Sequence, residues 1–252
     1  MVFSHFLIII ELTSSFNSYI VKKINNPTGY STPRISVNPL CEYVYATATR
    51  RGSIIKNSKE KPTYMTVRYN HAEEILSFYL AQSTVDVKIL TDQIYSLNTI
   101  KYKSDFEKRC ATISAEALSA FLRKESYVKK ILSLYKSFMT IEETKHKLII
   151  NGVQISIRPE IILRDTLGKQ QLGFVKFYFS KSVPLTQERA ELIACVGKHY
   201  FESEHHLPLL NKNCFVLDVF RGEIFSAPKS HVKRMNDIYA SCQEIADRWH
   251  LL

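Results

Sequence analysis

Two charged residues, Glu160 and Lys176, have the types and the spacing that phosphodiester chemistry needs. Glu160 lies in a run with apolar residues at alternate positions, and Lys176 lies in a run of β-branched and aromatic residues. Both patterns predict strands. Between the two runs, residues 165–169 have turn composition, with Gly168 suited to a positive φ. The sequence therefore predicts an antiparallel hairpin over 150–180. A register that places Glu160 opposite Lys176 would put both side chains on one face.

A carboxylate and an ammonium on adjacent strands can act together on a phosphate ester. The carboxylate of Glu160 could hold a divalent cation, and Lys176 could orient the attacking water or neutralise charge on the phosphate. The alternative is a solvated hairpin that carries one cross-strand ion pair. A further acid, Asp218, has apolar neighbours on both sides, and it could face the same cleft or pair with Arg221.

The elements that must position these residues are predicted as follows. The first strand is expected over 150–164, because its apolar residues share odd positions and would lie on one face. These residues are Val153, Ile155, Ile157, Ile161 and Leu163. The second strand is expected over 172–180, and a second hairpin over 214–227. Helices over 186–202 and 230–249 are expected to pack on the resulting sheet.

Helical spacing of apolar residues predicts a further group of helices earlier in the chain. They begin near Asn38 and continue at 69–80, 86–97, 105–122 and 126–139. The predicted fold class is α/β (α+β): a small mixed sheet with the hairpin 150–180 and flanking helices, plus a helical layer. The predicted organisation is an N-terminal appendage over 1–33, a helical region over 34–145 and an α/β core over 146–252.

The step Arg158-Pro159-Glu160, followed by Gly173-Phe174-Val175-Lys176, resembles the core of the PD-(D/E)XK nuclease superfamily. In that family a Pro-Asp or Pro-Glu step precedes a hairpin whose second strand carries acid-x-Lys. The resemblance covers about 150–200 and implies catalytic roles for Glu160 and Lys176, with Mg²⁺ or Mn²⁺ as the cofactor. The sequence departs from the pattern at Phe174, where the family has an acid. One metal ligand is therefore missing from its usual place.

The same resemblance assigns roles to residues on two predicted helices. Many members place a metal-binding acid on a helix before the sheet, which implies Glu73 or Glu74 beside Glu160. Several carry a glutamine on the helix after the lysine strand, which implies a catalytic role for Gln187. The alternatives are ordinary ones: Glu73 and Glu74 would stabilise the positive end of a helix dipole, and Gln187 would be a residue of a capped first turn.

The net charge of +10, with a pI near 9.3, favours polyanionic partners. The densest basic run lies over 50–61, and it is predicted to lie between two helices. Its candidates for nucleic-acid contacts are Arg50, Arg51, Lys56 and Lys59. The alternative is a solvated charged face. The segment 33–76 also resembles the opening of an uncharacterised bacterial family, which implies no activity.

Other features narrow the class of protein. The five cysteines are far apart and form no metal-binding pair, which indicates reduced, buried thiols of a cytoplasmic protein. The apolar run over 6–10 is too short to span a bilayer and lacks the features of a signal peptide, so no membrane association is expected. The sequence contains no P-loop, dinucleotide-binding, zinc-protease or serine-hydrolase motif.

Together these observations predict a protein that binds DNA or RNA and that could be a metal-dependent endonuclease or exonuclease. The alternative is a non-catalytic protein that binds nucleic acid or other protein subunits within a bacterial multi-component system.

Overall fold

The protein is described by a computed structural model that covers residues 30–60, 68–140 and 147–251. Within these ranges it has the predicted α/β class, with eight helices and two mixed sheets. The helices are α1 (Val37–Val44), α2 (Ala48–Lys59), α3 (Asn70–Ala81), α4 (Lys88–Thr99), α5 (Asp105–Leu122), α6 (Glu125–Leu132), α7 (Gln187–Glu204) and α8 (Val232–Arg248). The strands are β1 (Arg34–Ser36), β2 (Lys136–Met139), β3 (Lys147–Ile150), β4 (Val153–Ser156), β5 (Ile161–Arg164), β6 (Gln171–Tyr178), β7 (Cys214–Asp218) and β8 (Glu223–Ser226).

The larger sheet has the order β2-β5-β6-β7-β8. Its neighbours are antiparallel except for β6 and β7, which are parallel. Parallel neighbours need a long crossover, and here α7 supplies it. Thr186 begins that helix, since its hydroxyl accepts a hydrogen bond from the Arg189 amide at 3.4 Å. This cap and the helix after it were predicted from the sequence.

The smaller sheet has the order β1-β4-β3, and β4 leads directly into the larger sheet. Residues 157–160 form that link and contain Pro159, which cannot donate a hydrogen bond to a neighbouring strand. The link ends at Glu160, one residue before β5. The candidate site therefore begins where the chain passes from one sheet to the other.

The larger sheet separates two hydrophobic cores. One face, with Phe174 and Val216, packs with the smaller sheet and with α1, α2, α7 and α8. The opposite face, with Val175, Phe177 and Leu217, packs against α3, α4, α5 and α6. Side chains alternate across a strand, so adjacent residues of β6 belong to different cores.

The first described residue, Tyr30, is joined to the end of the last helix by a hydrogen bond. The indole nitrogen of Trp249 donates a hydrogen bond to the carbonyl of Tyr30 at 3.0 Å, across 219 positions of sequence. The Trp249 side chain is fully buried in the first core, and Lys59 donates to its carbonyl at 3.1 Å. This contact holds the start of the described chain against the end of α8.

The prediction of one strand over 150–164 was wrong. Val153, Ile155 and Ile157 pack in the first core, whereas Ile161 and Leu163 pack in the second. All five share odd positions, but the link over 157–160 interrupts the strand and breaks the alternation. Parity alone cannot reveal such a break.

Two other expectations also need correction. The predicted helix over 126–139 ends at Leu132, and residues 136–139 form β2, because their backbone pairs with the edge of β5. The basic run over 50–61 does not lie between two helices, since its described part belongs to α2. The helical layer is present as α3–α6, while α1 and α2 pack with the C-terminal helices.

Candidate functional site

Glu160 and Lys176 meet across the β5–β6 pair. Ile161 pairs with Val175, and the Glu160 amide donates to the Val175 carbonyl at 3.0 Å, so the next position along places Glu160 opposite Lys176. Lys176 Nζ donates to Glu160 Oε1, and the Phe177 amide donates to Glu160 Oε2. The predicted register and the predicted ion pair are therefore present.

This ion pair is shielded from water. The Glu160 side chain is 3% exposed and the Lys176 side chain 13% exposed. The pKa of Glu160 is raised to about 7; burial is the largest cause and the nearby charge of Glu73 adds to it, while Lys176 and the Phe177 amide act in the opposite direction. Glu160 can therefore change its protonation state near neutral pH, which is the property required of a general acid or base.

Glu73 lies in the first turn of α3 and faces the same region. Its Oε1 accepts a hydrogen bond from Arg158 Nη2 at 3.0 Å, and Arg158 belongs to the link that ends at Glu160. The structure thus brings Glu73 close enough to Glu160 for an electrostatic interaction. Glu74 is exposed on the same helix and does not line the pocket described below.

A pocket of about 310 Å³ opens beside this group. Its charged lining comes from Arg68, Glu73 and Lys176. Its other lining residues are Asn38, Tyr69, Asn70, Phe177 and Phe179. The N-terminus of α1, the N-terminus of α3 and strand β6 therefore converge on one cavity.

Aromatic rings form one side of the pocket. Tyr69 and Phe179 stack with their ring centroids 4.8 Å apart and their planes inclined by 14°. Phe220 meets Tyr69 edge-on at 6.0 Å. All three rings are half-buried and pack against the second core, and Tyr69 and Phe179 also border the cavity.

Asn38 contributes an unusual acceptor. Its Oδ1 is buried and has no hydrogen-bond partner among the described residues. A buried polar atom without a partner costs about 1–3 kcal/mol, so a donor in the pocket would be stabilised there. The sequence predicted a helix that begins near Asn38, and α1 begins at Val37, directly after Ser36.

The pocket contains residues that the sequence did not indicate. Arg68 directly precedes the predicted helix at 69–80, and nothing in its local pattern distinguishes it from other surface cations. Tyr69 and Asn70 belong to the start of that helix. Their common position depends on how α3 packs against β6, which local sequence does not encode.

Gln187 is not among the lining residues of the pocket. It is exposed at the start of α7, where its amide donates to Glu191 at 3.0 Å. That contact fits the ordinary alternative of a residue in a capped first turn.

The basic side chains of α2 differ in how far they are engaged in ion pairs and hydrogen bonds within the protein. Arg51 contacts Glu244 at 2.7 Å and the carbonyl oxygens of Tyr43 and Val44. Lys59 donates a hydrogen bond to the Trp249 carbonyl, as described above. Both side chains therefore hold α2 in the first core.

The other two basic residues of α2 are more accessible. Arg50 pairs with Glu42 at 2.7 Å, with about half of its side chain exposed. Lys56 is exposed. These two keep their charged ends at the surface, and their predicted phosphate contacts stay a prediction.

Asp218 and Phe174 both have structural surroundings. Asp218 is fully buried and accepts hydrogen bonds from the Leu185 amide at 3.1 Å and from Arg221 Nη1 at 3.3 Å, so the predicted Arg221 pair is present. Phe174 packs against Phe201 in the first core, with ring centroids 5.5 Å apart. Its ring does not line the pocket.

The side chains at the site do not fit a resident magnesium or manganese ion. Such ions require several oxygen ligands, whereas Glu160 is held by Lys176 and Glu73 by Arg158. Across the described ranges, no group of three or more His, Cys, Asp or Glu side chains is placed to hold a metal ion. The geometry instead gives a cationic pocket with a titratable carboxyl and an aromatic wall.

No helix in the described part of the chain is both long enough and apolar enough to cross a membrane. Comparison with known proteins identifies no family: no family model matches the sequence, and no curated protein matches it significantly.

Proposed function

We propose that the protein binds nucleic acid and that the pocket beside Glu160 and Lys176 receives a phosphate of the bound chain. The observation that carries the proposal is the pocket itself. Arg68 and Lys176 line it together with stacked aromatic rings. Cations neutralise phosphate and aromatic faces stack on bases, so the two features together suit a nucleotide unit.

The charge balance of the chain supports the same partner. The net charge of +10 provides the long-range attraction that brings a polyanion to a basic surface. Glu160 would then tune the site: when its carboxyl is protonated, Lys176 is no longer neutralised by a neighbouring negative charge. We therefore expect affinity for nucleic acid to rise as the pH falls from 8 to 6.

The test is a binding titration by fluorescence anisotropy, with labelled single- and double-stranded DNA and RNA. Arg68→Gln removes an exposed cation from the pocket and should weaken binding about fivefold or more. Lys147→Gln is the matched control, because Lys147 is an exposed lysine of the smaller sheet. The proposal fails if the wild type binds none of the four nucleic acids at low salt, or if the two variants bind alike.

A cleavage assay with Mg²⁺ or Mn²⁺ on the same four substrates tests for chemistry. Binding without cleavage is the outcome expected from the donor set. Metal-dependent cleavage that is lost in Glu160→Ala would overturn that expectation. It would show that the phosphate of the substrate completes a metal shell that the protein alone does not form.

A further inference from the structure

Two neighbouring depressions extend along α5, outside the pocket. One, of about 530 Å³, lies between α5 and the segments that follow β6 and β7. The other, of about 890 Å³, lies where α4 joins α5. Asn98 and Thr112 line both, so the two depressions form one continuous groove.

One end of the groove lies next to the proposed phosphate pocket, separated from it by an aromatic contact. Tyr69 lines the pocket, Phe220 lines the groove, and their rings meet edge-on at 6.0 Å. Lys181 also lines the groove and lies close enough to Tyr69 to interact with it electrostatically. The pocket and the groove therefore lie on either side of the Tyr69–Phe220 ring pair.

Positive charge dominates the lining of the groove. Six cations line it: Lys101, Lys103, Lys108, Arg123, Lys181 and Arg221. Two acids, Asp105 and Glu116, line it with them.

The acids neutralise only part of this charge. Glu116 pairs with Lys181 at 2.9 Å, and the buried Asp218 pairs with Arg221. Asp105 and the nearby Glu107 lie in the first turn of α5, where the helix dipole favours them. Lys101, Lys103 and Lys108 are exposed along the far end of the groove, so a net positive charge remains available to a ligand.

We infer that this groove binds a single strand of nucleic acid and leads it into the pocket. The inference rests on the proposed function and adds the path of the ligand. From Lys108 to Leu122, α5 extends about 21 Å at 1.5 Å per residue, which is long enough to meet several phosphates. Half-buried rings at the pocket end can stack only on bases that are not paired, which selects a single strand over a duplex.

The groove is an alternative to α2 as the place where the protein contacts the phosphates of the nucleic acid. The cations of α2 are partly used for packing, whereas the three lysines at the far end of the groove have exposed side chains. A test can therefore separate the groove from the rest of the basic surface.

The experiment compares two triple variants of equal charge. Lys101→Gln, Lys103→Gln and Lys108→Gln are combined to neutralise the far end of the groove. Lys147→Gln, Lys229→Gln and Lys233→Gln are combined as the control, since these lysines are exposed and line neither the groove nor the pocket. Binding to a labelled 20-nucleotide single strand and to its duplex is measured between 50 and 300 mM salt.

If the groove binds the strand, its triple variant should lose about 100-fold in single-strand affinity at 0.1 M salt. The slope of log affinity against log salt concentration should flatten by about two units, because three phosphate contacts are lost. The control should differ from the wild type by less than about threefold. Equal losses in the two triple variants would overturn the groove while leaving the pocket proposal intact, provided that Arg68→Gln still weakens binding. A wild type that prefers the duplex would overturn the single-strand assignment, and a wild type that binds neither would overturn the proposed function itself.

Discussion

Glu160 is a carboxyl with both oxygens occupied, in a position where burial opposes its charge. Removing a carboxylate and an ammonium from water costs free energy that their mutual attraction only partly recovers. A buried pair of this kind is weak support for stability, so we interpret the role of Glu160 and Lys176 as positional. The pair fixes the direction of Lys176 at the edge of the pocket, and it keeps a proton exchangeable near pH 7.

Replacing Glu160 should change the pH dependence of stability. Its pKa in the folded protein, about 7, lies above the ordinary value of 4.5, so the folded protein binds more protons than the unfolded chain between these values. The contribution of Glu160 to stability is therefore complete below about pH 4.5 and is lost as the pH rises through 7. The full change is on the order of 3 kcal/mol.

The measurement is urea denaturation of the wild type and Glu160→Gln at several pH values from 5 to 8. The wild type should lose stability across this range relative to the variant, whatever the absolute cost of the substitution. Glu223→Gln, at an exposed carboxyl of β8, is the control and should follow the wild type. Parallel curves for wild type and Glu160→Gln would contradict the raised pKa.

At the scale of elements, α7 lies very close to β6. A Cβ atom on Gly197 would approach Phe174 Cζ to 2.4 Å and Ile157 Cδ1 to 3.1 Å. The absence of a side chain at Gly197 therefore lets the Phe174 ring fill the space beneath the helix. Position 174 is therefore part of the packing between α7 and β6.

Gly197→Ala should destabilise the protein by about 1–3 kcal/mol through overpacking, although alanine is the better helix former by about 1 kcal/mol. Phe174→Leu shortens the opposing side chain, so the alanine should cost less in that background. A double-mutant cycle measured by urea denaturation checks the coupling. Additive effects of the two substitutions would show that the close approach carries no strain.

A second prediction concerns how α2 is held. Arg51→Ala removes an ion pair and two hydrogen bonds to backbone carbonyls, and it should cost about 1–3 kcal/mol of stability. Lys56→Ala, on the same helix but exposed, should cost less than about 0.5 kcal/mol. Thermal denaturation of both variants tests the difference. Equal stabilities would mean that Arg51 is free for the phosphate contacts suggested by the sequence.

Short-range sequence patterns, such as helical spacing of apolar residues, predicted the bounds of several helices. The bounds of α5 match the prediction at both ends, and α3 and α7 agree within about two residues. The sequence predicted the hairpin and allowed the register in which Glu160 lies opposite Lys176, and the structure has this register. The switch of cores between Ile157 and Ile161 was not predicted, because it depends on which helices cover each sheet.

The pocket was predictable only in part, for the same reason. Glu73 was suggested by a resemblance that places an acid before the sheet. Asn38 and Arg68 reach the cavity through the packing of two helix ends against β6. Such convergence is a property of the tertiary structure, and no periodicity in the sequence reports it.

At the scale of the whole molecule, the larger sheet contributes side chains to both hydrophobic cores, one from each face. Because neighbouring residues of β6 and β7 point into opposite cores, loss of the sheet would expose both at once. The two halves should therefore unfold in a single cooperative transition, in spite of their separate helices.

Leu118→Ala tests this coupling, because Leu118 is fully buried in the second core while the single tryptophan, Trp249, reports on the first. The substitution should cost about 2–5 kcal/mol. It should lower the unfolding midpoints seen by tryptophan fluorescence and by far-ultraviolet circular dichroism equally. A fluorescence midpoint that stays at the wild-type value would show that the cores unfold independently.

The hydrogen bond between Tyr30 and Trp249 also sets an order of events during synthesis. A ribosome adds about 5–20 residues per second, so the 219 positions between them take about 10–40 s to produce. Throughout that interval the Tyr30 carbonyl lacks its native partner, and α8 does not yet exist to close the first core. The second core is built largely from helices made earlier, whereas the first core cannot close until α8 has left the exit tunnel.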